Sequence, residues 1–273
     1  MGRMAHLGGS SGLLIVNPRS GSGSPDADEL AREAERRGVA VHVLREGDDV
    51  AEVARGAAEG PLGMAGGDGS LGTVAQVAIE RDLPFVCVPF GTRNHFARDA
   101  GLDPDDPPAA LRAFEGRERR IDVGRVGDRV FLNNVSLGAY AHLVHRREHG
   151  RRRREALARL RSLAFALRRP HPVRVGFEGR MQTAAVLLVA NNEYRLDLFS
   201  LGERNRIDGG SLHLYVVERV VSWAREKRSA ERFEIEVDPS PVHAAIDGEP
   251  VALSSPLDVR IEPRALRLLE PGD

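Results

Sequence analysis

Three short loops combine glycine with hydroxyl side chains early in the chain: Asn17-Pro18-Arg19-Ser20-Gly21-Ser22-Gly23, Gly66-Gly67-Asp68-Gly69-Ser70 and Pro89-Phe90-Gly91-Thr92-Arg93-Asn94. Glycine has no Cβ, so its backbone N–H can approach an anion closely. Ser20, Ser22, Ser70 and Thr92 add hydroxyl donors. This pattern suits a polyphosphate held by amides, hydroxyls and the positive end of a helix. Asp68 is the odd member. A carboxylate aimed at phosphates repels them unless a cation lies between. Asp68 therefore orients Mg²⁺ on a nucleotide, organises the loop, or caps the helix that follows. Lys227 is the only lysine, so none clamps phosphate from these loops.

The elements that place these loops follow from the apolar pattern. Residues 12–18 read as a buried strand running into the first loop. Ser24 is placed to cap the next helix, with Pro25 in its first turn and Asp26, Asp28 and Glu29 near its positive end. Gly38 ends that helix. A strand over 39–44, a helix over 49–59, a weak strand over 61–65, a helix after Ser70 and a strand over 85–89 follow. The β-α-β-α-β order predicts an α/β domain with a mostly parallel sheet. Ligands bind beyond the carboxyl ends of such strands, where all three loops fall. From Ile121 the texture changes. Two strands joined at Gly127-Asp128 precede an Arg-rich helical stretch over 139–168, and strands dominate thereafter. That second half predicts a β-rich antiparallel sandwich. The expected domains are residues 1–119 and 120–273, with the last residues free to pack back on the first.

Composition narrows the function classes. The 273 residues are 41% hydrophobic and 29% charged with a net charge of -1, which fits a soluble globular protein and excludes a uniformly basic nucleic-acid binder. No nucleic-acid partner is expected, because aromatics make up only 5% and none interleaves with the arginine run at 151–154. That run, with Arg146, Arg147, Leu157, Leu160, Leu163 and Phe165, is either a solvated face or a patch that docks on anionic lipid. His145 and His149 match a zinc-protease spacing, but arginines surround them and a solvated face is the competing reading. The single Cys87 excludes an intrachain disulfide and reads as a small buried hydrophobe. No apolar run is long enough for a spanning helix or a secretory signal, so a cytoplasmic location is expected.

GGDGS beside NPRSGSG and GTRNHFAR resembles the catalytic domain of the diacylglycerol kinase family, which includes bacterial lipid kinases and sphingosine kinases. The likeness continues through VSLGAYA, VANNEYR, DGGSLHLYVV and AIDGEPV in order. GGDG alone is shared with NAD kinases and phosphofructokinases; GTRNHFAR followed by DGEP is more specific. The resemblance implies an ATP-binding α/β domain, a β-rich second domain and an active site in the cleft between them. It assigns Asn17, Pro18, Ser20, Gly21, Gly66, Gly67, Asp68, Gly69, Ser70, Gly72, Gly91, Thr92 and Asn94 to the nucleotide site. It makes Glu249 the general base, places Asp247 and Asp68 beside it as catalytic carboxylates, and makes Asp208 a ligand of a structural Mg²⁺. Read without the family, AIDGEPVAL is a hairpin turn at Asp247-Gly248 with solvated carboxylates. Departures are Ser70 for threonine, Thr73 for glutamate, His95 for the aspartate of NDFAR and Gly209 for a second acid. The implied activity is Mg²⁺-dependent transfer of the γ-phosphate of ATP to a hydroxyl of diacylglycerol or a related lipid at a membrane surface. A kinase for a soluble acceptor, like NAD kinase, is one alternative. A catalytically weakened regulator that binds nucleotide or lipid is another. An exposed sheet edge leaves a homodimer open.

Overall fold

Four short apolar runs, Leu13–Val16 (β1), Ala40–Val43 (β2), Leu62–Gly66 (β3) and Phe85–Pro89 (β4), pair in parallel in the order β2-β1-β3-β4. The computed structural model describes residues 12–21, 25–92, 94–138, 173–177, 179–195, 204–217 and 226–272. The Arg-rich stretch expected over 139–168, with His145 and His149, lies outside the described residues, as do Ser22, Ser24 and Arg93. The chain divides into two units. The first ends at Ile121 and takes in the chain from Arg264 onward; the second is Asp122–Pro263.

In the first unit each helix start has a local chemical cause. Helix α1 (Ala27–Arg36) is capped by Asp26, which accepts from the Glu29 N–H at 2.7 Å while the Glu29 carboxylate accepts from the Asp26 N–H at 2.9 Å. These reciprocal bonds satisfy two N–H groups that no helical carbonyl can reach, so Asp26 sets the start rather than Ser24. Helix α2 (Val50–Arg55) is capped by Asp49. Helix α3 (Asp68–Glu80) begins at Asp68, before the expected Ser70, because Gly67 takes the extended capping position. Short helices α4 (His95–Asp99) and α5 (Pro107–Ala110) follow, the latter capped by Asp106 with proline in its first turn. Leu14, Val16, Leu30, Ala65, Val88, Phe90 and Phe114 belong to one apolar cluster. Each of the larger side chains there contributes about 1.5–3 kcal/mol by leaving water. Leu268 and Leu269 add a further parallel strand segment beside β4.

The second unit is antiparallel. Its strands are β5 (Arg117–Val126, which begins in the first unit), β6 (Arg129–Phe131), β7 (Asn134–Gly138), β8 (Val173–Phe177), β9 (Arg180–Ala184), β10 (Val186–Asn191), β11 (Leu212–Val217), β12 (Glu226–Ala230), β13 (Arg232–Asp238), β14 (Val242–Ile246), β15 (Glu249–Leu253) and β16 (Leu257–Glu270, which ends in the first unit). One sheet runs β12-β11-β10-β7-β14-β15; in the other, β16, β13, β8 and β9 are consecutive neighbours. Alternate residues point inward: Val135 and Leu137, Leu187 and Val189, Leu212, Leu214 and Val216 from the first sheet meet Val173 and Val175, Ile235 and Val237, Leu257, Val259 and Ile261 from the second. The period of two on facing sheets makes this a β sandwich.

Candidate active site

Strand order determines where the glycine loops meet. The chain leaves β1 for β2 on one side and returns to β3 on the other. The gap beyond the carboxyl ends of β1 and β3 is thus the topological switch point of the sheet. The first loop leaves β1 and the second leaves β3; the third leaves the neighbouring β4. The pairing continues into the loops, with the Asn17 N–H donating to the Ala65 carbonyl at 2.9 Å and the Phe90 N–H to the Gly66 carbonyl at 3.4 Å.

The loops touch one another at atomic distance. A Cβ on Gly21 would stand 2.5 Å from the Phe90 ring, and a Cβ on Gly91 would stand 2.7 Å from the Gly67 Cα. Glycine at both positions is what lets the three loops lie in contact. Asp68 joins the second loop to the third: its carboxylate accepts from the His95 N–H at 3.2 Å and the Phe96 N–H at 3.1 Å. It caps α4, not the helix in which it lies. Asn94 closes the third loop on itself. Its side chain accepts from the Gly91 N–H at 2.8 Å and donates to the Gly91 carbonyl at 2.9 Å, with the backbone left-handed at φ 48°. Asn17 does the same for the first loop, accepting from the Arg19 N–H at 3.0 Å. The Ser70 hydroxyl donates to the Gly67 carbonyl at 2.9 Å.

One surface of this assembly suits an anion. Gly67 gives α3 no side-chain cap. The N–H groups of Asp68 and Gly69 precede the first helical hydrogen bonds. A Cβ on Gly67 would meet nothing within 4 Å. A phosphate fits such a place, where donors, dipole and space coincide. Pro18, Gly21 and Thr92 are exposed beside it, and Ser20 and Gly91 are half-buried. Gly72 is buried in α3, while Thr73 faces solvent. Cys87 lies beneath in β4; burial, reinforced by the Asp68 charge, pushes its thiol well above the ordinary range and keeps it protonated.

In the second unit Asp247 and Gly248 form the two-residue turn between β14 and β15, both with positive φ, 48° and 84°. The Asp247 carboxylate is buried and accepts from the N–H groups of Leu132 at 2.7 Å, Asn133 at 2.7 Å and Asn134 at 2.9 Å. It is an anchor for the turn, not a solvated turn residue. Glu249 follows on the exposed side, opposite Ile246. Asp208 accepts from Arg206 Nε at 3.2 Å. A Cβ on neighbouring Gly209 would stand 2.7 Å from Asn192 Oδ1, so a side chain there would require Asn192 to shift. Among the described residues no group of three or more His, Cys, Asp or Glu side chains could hold a metal ion. The buried anchors around the turn (Asp122, Asn133, Asn191, Asn192 and Arg204) escaped sequence reasoning, because polar residues in loops and at strand positions look solvated until their partners are known.

Residues 11–126 match the diacylglycerol kinase catalytic domain. Over that stretch the chain is similar to the diacylglycerol kinase catalytic-domain family. It is 36% identical over 142 residues to a Chromohalobacter salexigens protein named "Probable lipid kinase YegS-like", a stretch covering 48% of this chain and 45% of that one. It is 31% identical over 197 residues to a Mycobacterium tuberculosis diacylglycerol kinase, covering 65% of this chain and 62% of the relative. The chain spans about half the length of the first curated relatives it matches. A crystal structure of a diacylglycerol kinase from Bacillus anthracis strain Sterne superposes with a TM-score of 0.68 at 20% identity, covering 94% of this chain and 96% of that one. At that identity the likeness shows the shared fold. The fold class, a parallel α/β unit with a β sandwich, is shared with that structure.

Proposed function

We propose that this chain transfers the γ-phosphate of ATP to a hydroxyl group of diacylglycerol or a related lipid. The observation that carries the reading is the convergence of three glycine loops at the sheet's switch point, around a helix start with no side-chain cap. The N–H groups of Asp68 and Gly69 bind phosphate oxygens, and Gly67 keeps the approach open. Asp68 and Asn94 hold the loops in register, so the amides are arranged before the nucleotide arrives. Such preorganised donors act on charge without reorganising during transfer. Glu249 accepts the proton of the lipid hydroxyl as its oxygen attacks the γ-phosphorus and ADP leaves, a role that contributes about 10²–10⁴-fold. Mg²⁺, when bound with the triphosphate, would neutralise its negative charge; Asp208 would serve a separate, structural Mg²⁺ in the second unit. Asp247 serves the reaction by holding the turn. The family's relatives with lipid kinase names support a lipid acceptor. Among the described residues no helix is long and apolar enough to cross a membrane.

The test is phosphorylation of a total lipid extract by labelled ATP and Mg²⁺, with glycerol and NAD offered in parallel. Label entering a chloroform-soluble product supports the reading. Label entering only glycerol or NAD replaces the lipid with a soluble acceptor. ATP binding without transfer to any acceptor makes the chain a nucleotide-binding regulator.

A further inference from the structure

We propose that Arg204 is a positioning residue for Glu249, a role that rests on reading Glu249 as the base. Arg204 is 6% exposed. Its Nη1 donates to the Leu132 carbonyl at 2.7 Å and the Asn191 carbonyl at 2.9 Å, and its Nη2 donates to Asn133 Oδ1 at 2.9 Å. The guanidinium also lies over the Tyr194 ring, 5.8 Å from its centroid. Residues 132–134 are the same three whose N–H groups Asp247 accepts. A buried cation and a buried carboxylate therefore grip one short segment, the arginine through an oxygen of its backbone and a side chain, the aspartate through its amides.

The grip has a direction. Removing a buried cation from water is costly unless its donors are met, so an arginine is retained here only with these acceptors in place. Its loop is tied down independently: the Asp122 N–H donates to the Ile207 carbonyl at 3.0 Å, and the Gly210 N–H donates to Asp122 Oδ2 at 2.7 Å. Asn191 Nδ2 braces the Leu132 carbonyl from a second side at 3.0 Å. Arg204 thus transmits a fixed loop position to residues 132–134. Those residues hold the Asp247 carboxylate through three N–H groups, and with it the Asp247-Gly248 turn. Glu249 lies two residues further on, and its carboxylate takes its position from that turn. Displacing a reacting group by about 1 Å can cost about 10²-fold in rate.

The test is a double-mutant cycle on kcat, with KM for ATP measured in every variant: wild type, Arg204→Gln, Glu249→Gln and the pair together. Arg204→Gln should lower kcat by about 10–100-fold while KM for ATP stays within about twofold. The pair should be no slower than Glu249→Gln alone, because a misplaced base and an absent base are equivalent. Losses that multiply in the pair would overturn the proposal and leave the base reading intact. A wild-type kcat in Glu249→Gln would remove the base reading and this proposal with it. If Arg204→Gln does not fold, Arg204→Lys carries the cycle. It keeps the charge but not the planar fork, and should lower kcat with melting intact. Unchanged kcat in that variant would overturn the proposal.

Discussion

A methyl group added at Gly67 would point into open space, whereas one added at Gly91 would stand 2.7 Å from the Gly67 Cα. The two glycines should therefore fail differently. Gly67→Val should leave urea unfolding unchanged, since its φ of -84° suits any residue, and should weaken ATP binding by blocking approach to the Asp68 and Gly69 amides. Gly91→Val should cost about 1–3 kcal/mol of stability through overpacking, read in the same urea titration. Equal stability loss in both would contradict the division. His213 gives a pH prediction. Burial lowers its pKa below the ordinary 6.5, so the folded state takes up its proton less readily than the unfolded state. Among the described residues its Nδ1 is buried with no hydrogen-bond partner, and Nε2 meets the Ser211 hydroxyl at 3.1 Å. Stability contributed by the neutral ring is present above about pH 6.5 and declines as pH falls toward the folded pKa. His213→Gln should flatten the acid limb of a melting-temperature profile between about pH 7 and 5; parallel curves would count against it. Asp247 was singled out from the chain, but the partners of the buried anchors could not be read from it. Asp247 finds its amides 113–115 residues away, and Arg204 reaches Leu132 across 72.

Among the helices and strands, Asp68 links α3 to the start of α4. Asp68→Ala should cost about 1–3 kcal/mol, the range for charged hydrogen bonds to a helix start, and should raise hydrogen exchange at the His95 and Phe96 amides. Unchanged exchange there would mean that α4 holds its own start. The succession of strands along the first unit was legible because buried parallel strands read as short apolar runs between glycine turns. Two strands of the sandwich were not, β9 and β12, and β15 was expected only as the far side of the Asp247-Gly248 hairpin. Each lies at the edge of its sheet and pairs with one neighbour. Edge strands are protected by charge and proline, as in the EKRSA of β12 and the EPVAL of β15, so the signal that marks an inner strand is suppressed in them. Helix starts shifted for a similar reason. Several Ser, Asp and Gly residues near α1 and α3 are competent caps, and only the reciprocal Asp26–Glu29 bonds or the open Gly67 decide among them.

Taken through the full chain, the change from alternating strands and helices to strands alone was visible in the sequence, and the α/β unit followed by a sandwich is the architecture found. The three glycine loops were legible for a physical reason: one glycine turn is ordinary, but three at the ends of successive parallel strands fall on the same edge of the sheet. What these loops and the Glu249 turn do together is the central claim, and one experiment addresses it directly. Labelled phosphate transfer from ATP to lipid extract is followed in single turnovers for wild type and Glu249→Gln, with ATP affinity measured on the same preparations. The account predicts equal ATP affinity and transfer slowed by about 10²–10⁴-fold in the variant. Transfer at the wild-type rate in Glu249→Gln, or a wild-type protein that does not bind ATP, would contradict it.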